Sequence, residues 1–293
     1  MNALILVNPH SGNRKLAGKM DKALAKMKAA GHTVQVAETS SPEEARKVLA
    51  EKPTPVDTVI CCGGDGTLSA TVSRVLELGL DVDLGYIPGG TTNDFARFLH
   101  IPREPEAAAE FLLNTTPKPL DVGAFGERKF IYVASFGAFT RSSYATDPKL
   151  KQALGHLAYV LEGLRELPGL KPIPLEVDTA EGEHFEGDFL FGAVSDSTSI
   201  GGVFRPDPAT VDPADGQFEL VLVRHPKGLG QFNHIVGCLT SGKLDPEYIV
   251  YTHLSRGVIT SREPLPWSLD GEYAPGGLRE EVAVLPKAVR MYY

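Results

Sequence analysis

Short apolar runs alternate with helical patterns along the first third of the chain. The predicted strands are residues 3–7, 33–38, 58–62 and 84–87. The predicted helices are residues 14–30, 42–51, 68–78, 93–99 and 104–114. Strict alternation of strand and helix indicates a parallel sheet with right-handed crossovers. Ligands of such sheets bind at the carboxyl ends of the strands, so we expect the functional site there.

The pattern changes after the proline-rich stretch at residues 117–119, which we interpret as a linker. Strand-like runs follow at residues 129–135, 173–178, 185–193, 216–223, 256–260, 282–285 and 289–293, and helical patterns interrupt them at 150–167 and 229–241. Gly, Pro and Asp punctuate these runs, as is typical of an antiparallel β domain. We predict an α/β domain of residues 1–120 and a second domain of residues 121–283. Residues 284–293 are assigned to the first domain, although periodicity alone does not decide their place.

Composition narrows the classes of function. The net charge of −8 argues against nucleic acid as a partner, because binding a phosphate backbone needs a field of Lys and Arg. No run approaches the roughly 18 apolar residues of a membrane span, and the apolar N-terminal stretch is too short for a signal peptide. The odd number of cysteines, Cys61, Cys62 and Cys238, indicates buried free thiols in a reducing cytosol.

The first predicted strand ends in a turn that contains Asn8, Pro9, Ser11 and Gly12. The turn precedes a predicted helix, so its backbone amides and the helix N-terminus could bind phosphate oxygens. An ordinary strand-to-helix loop with Ser11 or Asn13 as the helix cap explains the same residues.

A second turn, formed by Gly63, Gly64, Asp65, Gly66 and Thr67, follows the predicted strand at 58–62. Three glycines in four positions cost conformational entropy without adding to a core, so we expect something to approach this backbone closely. Thr67 is the expected helix cap, and Asp65 suits coordination of Mg²⁺ beside ATP. The alternative is a tight turn in which Asp65 merely helps to cap the helix.

A third turn of the same kind follows the strand at 84–87. It contains Gly89, Gly90, Thr91, Thr92, Asn93 and Asp94. Either threonine could donate to a phosphate, and Asn93 or Asp94 could cap the next helix. Three such turns at one sheet edge predict a nucleotide site. The sequence has neither the P-loop pattern nor a dinucleotide-binding G-x-G-x-x-G after the first strand, and its eight histidines are scattered.

Carboxylates in the second half of the chain suggest further chemistry. Asp212 and Asp215 lie in one turn and could bind a hard cation with a following carbonyl, although Asx hydrogen bonds that shape the turn explain them equally. Asp270 and Glu272 flank a glycine and could divide the tasks of base and metal ligand, unless they belong to an ordinary Asp-Gly hairpin. Asp121 is a weak candidate by itself.

Taken in order, these turns and carboxylates resemble the diacylglycerol kinase catalytic family, whose relatives include sphingosine and ceramide kinases. The pattern at 63–67 is also shared with NAD kinases and resembles one in phosphofructokinases. The segments 155–159, 167–172, 199–202 and 249–252 resemble the soluble bacterial diacylglycerol kinases. Residues 195–203 depart from the Asn-Gly pair of many relatives, which leaves the acceptor open.

The resemblance implies an α/β nucleotide-binding domain like that of NAD kinases and diacylglycerol kinases, joined to an antiparallel β-sandwich, with the active site in the cleft. It implies phosphorylation of diacylglycerol to phosphatidic acid with ATP and Mg²⁺, by a cytoplasmic homodimer that contacts the inner face of the cell membrane peripherally. Kinases of another lipid alcohol, such as a sphingoid base or phosphatidylglycerol, an NAD kinase, and a regulatory nucleotide-binding protein without turnover are the alternatives.

The resemblance also implies roles for single residues. Asp65, Asp121 and Glu272 would share a network of Mg²⁺ and water, and Asp270, with Thr91, would act as the base. A structural Mg²⁺ would be held by Asp212, Asp215 and the Gln217 carbonyl. The residues expected to contact ATP are Asn8, Pro9, Ser11, Gly12, Thr39, Gly63, Gly64, Asp65, Gly66, Thr67, Gly89, Gly90, Thr91 and Asn93.

Overall fold

A computed structural model describes residues 1–9, 16–52, 55–90, 93–137, 171–197 and 211–293. These residues form two compact units, one of Met1–Val122 with Lys287–Tyr293 and the other of Gly123–Pro286. The predictions for Ser11, Gly12 and Thr91 lie outside the described residues. So do the predicted helix at 150–167 and the sequence motifs at 155–159 and 199–202.

The first unit is built on a parallel sheet. Its strands are β1 (Asn2–Val7), β2 (Thr33–Glu38), β3 (Thr58–Gly63) and β4 (Asp83–Pro88), in the spatial order β2-β1-β3-β4. Its helices are α1 (Leu16–Ala29), α2 (Pro42–Ala50), α3 (Asp65–Glu77), α4 (Asp94–Phe98) and α5 (Pro105–Asn114). Every residue of β3 is buried, as expected for a central strand covered on both faces.

The second unit is antiparallel. The strands from its start are β5 (Pro117–Phe125), which begins in the first unit, β6 (Arg128–Phe130), β7 (Val133–Gly137), β8 (Ile173–Thr179), β9 (His184–Ser195) and β10 (Phe218–Arg224). After α6 (Leu229–Ser241) come β11 (Ile249–Leu254), β12 (Arg256–Ser261), β13 (Trp267–Leu269), β14 (Glu272–Ala274) and β15 (Arg279–Tyr292). Within this unit the strand order is β14-β13-β7-β9-β8-β12-β15, and β10 pairs with β9 and β11.

Aromatic side chains form the core of the second unit. The Trp267 ring is 1 % exposed and lies with its centroid 4.7 Å from that of Phe136 and 4.9 Å from that of Phe125. Phe130 and Phe218 pack edge to face in the same cluster, with ring centroids 5.7 Å apart. Strand alternation directs these rings to one side of the sheet, which fixes the register of each strand.

The predicted fold class, a parallel α/β part followed by antiparallel β, is confirmed. Two details of the prediction were wrong. The stretch 117–119 begins β5 and is not a linker. The run at 129–135 is divided between β6 and β7. The last predicted run, at 282–285 and 289–293, lies in the strand β15. The final residues of β15 pair in parallel with β4, where Arg290 lies opposite Asp83.

In the parts of the chain that the structure describes, no helix is both long and apolar enough to span a membrane. All three cysteines are buried and unpaired by disulfide, as predicted.

Candidate functional site

Strands β1, β3 and β4 end at the same edge of the sheet in the first unit. In the register of β3 and β4, Gly63 lies opposite Pro88. The ladder continues into the turns, because the Asn8 backbone N–H donates to the Cys62 carbonyl (3.0 Å) and that of Gly89 donates to the Gly63 carbonyl (2.6 Å). The described parts of the three predicted turns are therefore hydrogen-bonded neighbours.

Helix α3 begins earlier than predicted. Gly64 is its N-cap residue, and Asp65, Gly66 and Thr67 form its first turn, whereas the prediction started the helix at residue 68 with Thr67 as the cap. The Thr67 hydroxyl instead accepts a hydrogen bond from the Asn8 side-chain amide (3.2 Å), which ties the first turn to the second. Because glycine offers no side-chain acceptor at the N-cap, the first N–H groups of α3 lack the usual local cap.

The glycines are needed because the turns approach each other closely. A Cβ atom on Gly90 would lie 2.7 Å from both the Asn93 Oδ1 atom and the Gly64 Cα atom. A Cβ atom on Gly63 would lie 2.6 Å from the Cβ atom of Thr67. The expected close approach to this backbone therefore comes, at least at these positions, from the neighbouring turn and from the first turn of α3.

Asp65 joins the second turn to the third. Its carboxylate is buried, with 8 % of the residue exposed, and accepts the backbone N–H of Asp94 (2.9 Å) and of Phe95 (3.3 Å), the first two residues of α4. Asn93 is the N-cap residue of α4, as predicted, but its side chain makes no cap hydrogen bond, and the Asp65 carboxylate accepts the N–H groups instead. Burial raises the pKa of Asp65, and the nearby charge of Asp94 raises it further, while the two N–H donors oppose the shift.

Tyr86 belongs to this cluster and was missed by the sequence analysis. Its fully buried hydroxyl lies 3.4 Å from the Asp65 Oδ1 atom and 3.3 Å from the Asn93 Oδ1 atom. Asn93 in turn closes a ring with Gly90, accepting its N–H (2.9 Å) and donating to its carbonyl (2.8 Å). A tyrosine in the otherwise apolar run at 84–87 was the available signal, since a buried hydroxyl needs a partner.

Other predicted nucleotide contacts lie around the same edge. The backbone N–H of Thr39 donates to the Val7 carbonyl (2.9 Å) at the end of β2, and Thr39 is buried. Pro9 is exposed, and Gly66 and Gly89 are half-buried.

In the second unit, Asp270 and Gly271 form the turn of the hairpin between β13 and β14. Both have positive φ angles, 49° and 90° respectively, as the tight turns of such hairpins require. The Asp-Gly hairpin is therefore present, but Asp270 is only 5 % exposed, whereas Glu272 is exposed on β14.

The Asp270 carboxylate organises the segment between β6 and β7. It accepts the backbone N–H groups of Ile131 (2.7 Å), Tyr132 (3.0 Å) and Val133 (3.0 Å), and the Asp270 N–H donates to the Val133 carbonyl (2.8 Å). These bonds explain why the predicted strand at 129–135 is interrupted: its central amides turn towards a carboxylate instead of a neighbouring strand.

Asp121 lies in the first unit and is fully buried. Its Oδ1 atom accepts the backbone N–H of Lys287 (2.6 Å), a residue with a φ angle of 52°. The bond joins β5 to the returning end of β15 at a strained backbone position.

The turn that contains Asp212 and Asp215 is shaped by Asx hydrogen bonds. Asp212 accepts the N–H of Ala214 (3.0 Å), and Asp215 accepts that of Gln217 (2.9 Å). Within the described residues, no group of three or more His, Cys, Asp or Glu side chains is arranged to hold a metal ion. The turn-shaping role of both carboxylates is therefore visible, and their predicted metal-binding role stays a prediction.

Glu219, on β10, is a buried carboxylic acid that the sequence analysis missed. It is 2 % exposed, and burial, with a smaller contribution from the charge of Asp215, raises its pKa to about 8. The His253 Nε2 atom on the neighbouring strand lies 3.9 Å from its Oε1 atom.

Comparisons with known proteins show which proteins this chain is similar to. The family model described as diacylglycerol kinase catalytic domain matches residues 2–125. A diacylglycerol kinase of Bacillus subtilis (strain 168) is 33 % identical over 279 residues, which cover 94 % of this chain and 90 % of that protein. A diacylglycerol kinase of Staphylococcus aureus (strain MRSA252) is 32 % identical over 277 residues, covering 92 % of this chain and 86 % of that protein.

Solved structures share the fold. A diacylglycerol kinase from Bacillus anthracis str. Sterne aligns with a TM-score of 0.74 at 20 % identity, covering 100 % of this chain and 96 % of that chain. A second crystal structure from the same strain aligns with a TM-score of 0.80 at 25 % identity and covers 100 % and 95 % of the two chains.

Proposed function

Because this chain belongs to the diacylglycerol kinase catalytic family, we propose that it transfers the γ-phosphoryl group of ATP to the free hydroxyl of 1,2-diacylglycerol. The products are ADP and phosphatidic acid. In the transfer, the acceptor oxygen forms a bond to phosphorus as the bond to the ADP oxygen breaks, and the hydroxyl proton passes to a base.

The observation that carries the proposal is the hydrogen-bonded set of glycine turns at the carboxyl edge of the parallel sheet. The N–H groups at the start of α4 are taken by Asp65, but those at the start of α3 have only Gly64 as N-cap residue. A helix N-terminus without a side-chain cap favours an anion through its N–H groups and its dipole. We therefore assign the ATP phosphates to the start of α3, beside Asn8 and Gly90.

The donor set around Asp65 fits Mg²⁺ held mainly through water and phosphate oxygens. Two N–H groups and a tyrosine hydroxyl already use much of the hydrogen-bonding capacity of Asp65, and Asp94 is the second carboxylate nearby. Kinase Mg²⁺ ions typically use one or two carboxylates together with waters and substrate phosphates. When bound, the ion would offset the negative charge of the phosphates. Asp121 and Glu272 remain proposed members of this network.

On the acceptor side, the proposal assigns the hydroxyl proton to the pair Asp270 and Glu272. Asp270 also holds three backbone amides, whereas Glu272 is exposed. Loss of activity in an Asp270 variant therefore needs a separate check that the second unit is still folded. Asp212, Asp215 and the Gln217 carbonyl are proposed to hold a structural Mg²⁺, since two carboxylates and a carbonyl are oxygen ligands of the kind this ion prefers.

The direct test gives the purified chain ATP, Mg²⁺ and mixed micelles containing diacylglycerol, and measures phosphatidic acid. Parallel reactions contain a sphingoid base, phosphatidylglycerol or NAD as the acceptor. Product from one of these acceptors but not from diacylglycerol would overturn the proposed acceptor, while the assignment as a kinase would stand. ATP binding without any product would indicate a regulatory protein without turnover.

We further propose that the enzyme is a cytoplasmic homodimer that contacts the inner face of the cell membrane peripherally, where its lipid substrate resides. Sedimentation equilibrium measures the oligomeric state. Co-sedimentation with liposomes, with and without anionic lipid, measures membrane contact. A protein that stays monomeric over the micromolar range would overturn the proposed homodimer. Equal recovery in the supernatant with every liposome would overturn the proposed membrane contact.

A further inference from the structure

We propose that Tyr86 is a positioning residue for the ATP phosphates, acting through its hydroxyl on Asp65 and Asn93. The inference rests on the proposed function, because it concerns the site assigned there to ATP. It goes beyond that function by giving a role to a residue that lies inside strand β4 and not in a glycine turn.

The geometry places one hydroxyl between the two turns that the site needs. The Tyr86 oxygen is 3.4 Å from the Asp65 Oδ1 atom and 3.3 Å from the Asn93 Oδ1 atom, so one O–H group lies within reach of two acceptors. Asp65 belongs to the first turn of α3, and Asn93 precedes α4. The hydroxyl therefore bridges the starts of both helices.

The Tyr86 hydroxyl supports an orientation of the Asn93 side chain that two hydrogen bonds to Gly90 also hold. Its Oδ1 atom accepts from the Gly90 N–H and its Nδ2 atom donates to the Gly90 carbonyl, while its own backbone is in the left-handed region with a φ angle of 50°. A hydroxyl donor next to Oδ1 favours this orientation of the Asn93 side-chain amide over the flipped orientation, in which Oδ1 and Nδ2 exchange places. The two hydrogen bonds from the Asn93 side chain then fix the backbone of Gly90, which faces Gly64 at the N-cap of α3.

Burial makes the hydroxyl costly unless it serves this arrangement. Tyr86 is 0 % exposed, and phenylalanine would fill the same space without bringing a polar group into the interior. The aromatic ring of Tyr86 packs in the interior, as a phenylalanine ring would, and the hydroxyl alone contacts both Asp65 and Asn93. Replacing Tyr86 by Phe separates the two contributions, because it removes the oxygen and leaves the ring.

The test measures binding of a non-hydrolysable ATP analogue by calorimetry in the full-length chain. Tyr86→Phe should weaken binding by up to about fivefold, the ratio that corresponds to the net free energy of one intramolecular hydrogen bond. Steady-state kinetics should show a similar rise in the KM for ATP, with an unchanged KM for the lipid. Tyr293→Phe is the matched control: it removes a hydroxyl that donates to the Pro119 carbonyl (2.7 Å) in the same unit, and its ATP affinity should equal that of the wild type.

A second variant tests the route of the effect. Asn93→Gly suits the positive φ angle and removes one of the two acceptors, so it should also weaken ATP binding. In the Asn93→Gly background, Tyr86→Phe should add much less than fivefold, since contacting residues are not additive. Wild-type affinity in Tyr86→Phe would overturn the inference, and a full additional fivefold loss in the double variant would overturn the part of it that runs through Asn93. A wild-type protein that binds ATP but makes no phosphatidic acid would overturn the proposed acceptor alone, and the binding comparison would still decide the role of Tyr86.

Discussion

The backbone N–H of Asp94 donates to a carboxylate oxygen of Asp65 over 2.9 Å, so the start of α4 is capped by a residue that lies 29 positions earlier in the chain. The same carboxylate accepts the N–H of Phe95. Asp65 therefore has a structural task in addition to the one proposed for it in phosphate and Mg²⁺ chemistry, and the two tasks can be separated by experiment.

We expect Asp65→Ala to lower the free energy of unfolding by about 1–3 kcal/mol, because it leaves buried N–H groups without their acceptor. Asp57→Ala is the control. Asp57 also accepts a backbone N–H, from Asn2 (2.8 Å), but it is exposed, so water can replace it and the loss should be smaller. Urea denaturation measures both. Equal losses in the two variants would contradict the capping role of Asp65.

Gly90→Ala should destabilise the protein by about 1–3 kcal/mol through overpacking, because the new methyl group would meet the Gly64 backbone and the hydrogen-bonded Asn93 side chain. Gly237→Ala is the matched change. Gly237 lies inside α6 with no atom near the added Cβ, so alanine should stabilise the helix by about 0.5–1 kcal/mol. We expect the thermal unfolding temperature to fall in Gly90→Ala and to rise in Gly237→Ala. A stabilised Gly90→Ala variant would show that the turns containing Gly64 and Gly90 are not in close contact.

Asp270→Ala should destabilise the second unit by about 3–5 kcal/mol, because three backbone N–H groups lose one carboxylate. Asp270→Asn keeps one oxygen acceptor and should lose less. Glu272→Gln, at an exposed position, should change stability by less than about 0.5 kcal/mol.

The kinase activity of these variants shows which of the two carboxylates, Asp270 or Glu272, acts as the base. The variant that lacks the base should lose about 10²-fold or more in kcat while it remains folded. Thermal unfolding monitored by circular dichroism, combined with the phosphatidic acid assay, provides both readings. Full activity in both Asp270→Asn and Glu272→Gln would remove this pair from the mechanism.

Burial raises the pKa of the Cys62 thiol to about 12 and also raises that of Cys61. The folded state therefore favours the protonated thiols. This contribution to stability is fully present below the ordinary thiol pKa and is lost as the pH rises from about 9 towards about 12.

The free energy of unfolding should consequently fall above pH 9, and Cys62→Ala should reduce the slope of that fall, whatever its effect at neutral pH. Cys238→Ala is the comparison, since Cys238 lies on α6 in the other unit. At pH 8 the folded protein should protect Cys61 and Cys62 from a disulfide reagent that reacts with all three thiols after denaturation. Rapid reaction of either residue in the folded protein would contradict the burial of β3.

Local patterns predicted most elements of the first unit because periodicity is a property of neighbouring residues. Strand β2 was predicted with both ends in place, and the ends of β1, β3 and β4 differ by a single residue from the prediction. The start of α3 was missed, because a glycine-rich segment predicts a loop when only local propensity is considered. Its helical conformation agrees instead with distant contacts, those of Thr67 with Asn8 and of Asp65 with α4.

The order of the glycine turns and carboxylates was sufficient to identify the family, since those residue types and spacings are visible along the chain. What joins them was not visible. The acceptor for the α4 amides is Asp65, the donor between the turns is Tyr86, and the partner of the Asp270 carboxylate is the backbone of residues 131–133. Each of these bonds links residues 7 to 139 positions apart, and a hydrogen bond depends on distance and angle in space. Only the folded chain brings such groups within reach, so the sequence determined the family and the types of residue at the candidate site, and tertiary structure decided which of those residues contact each other.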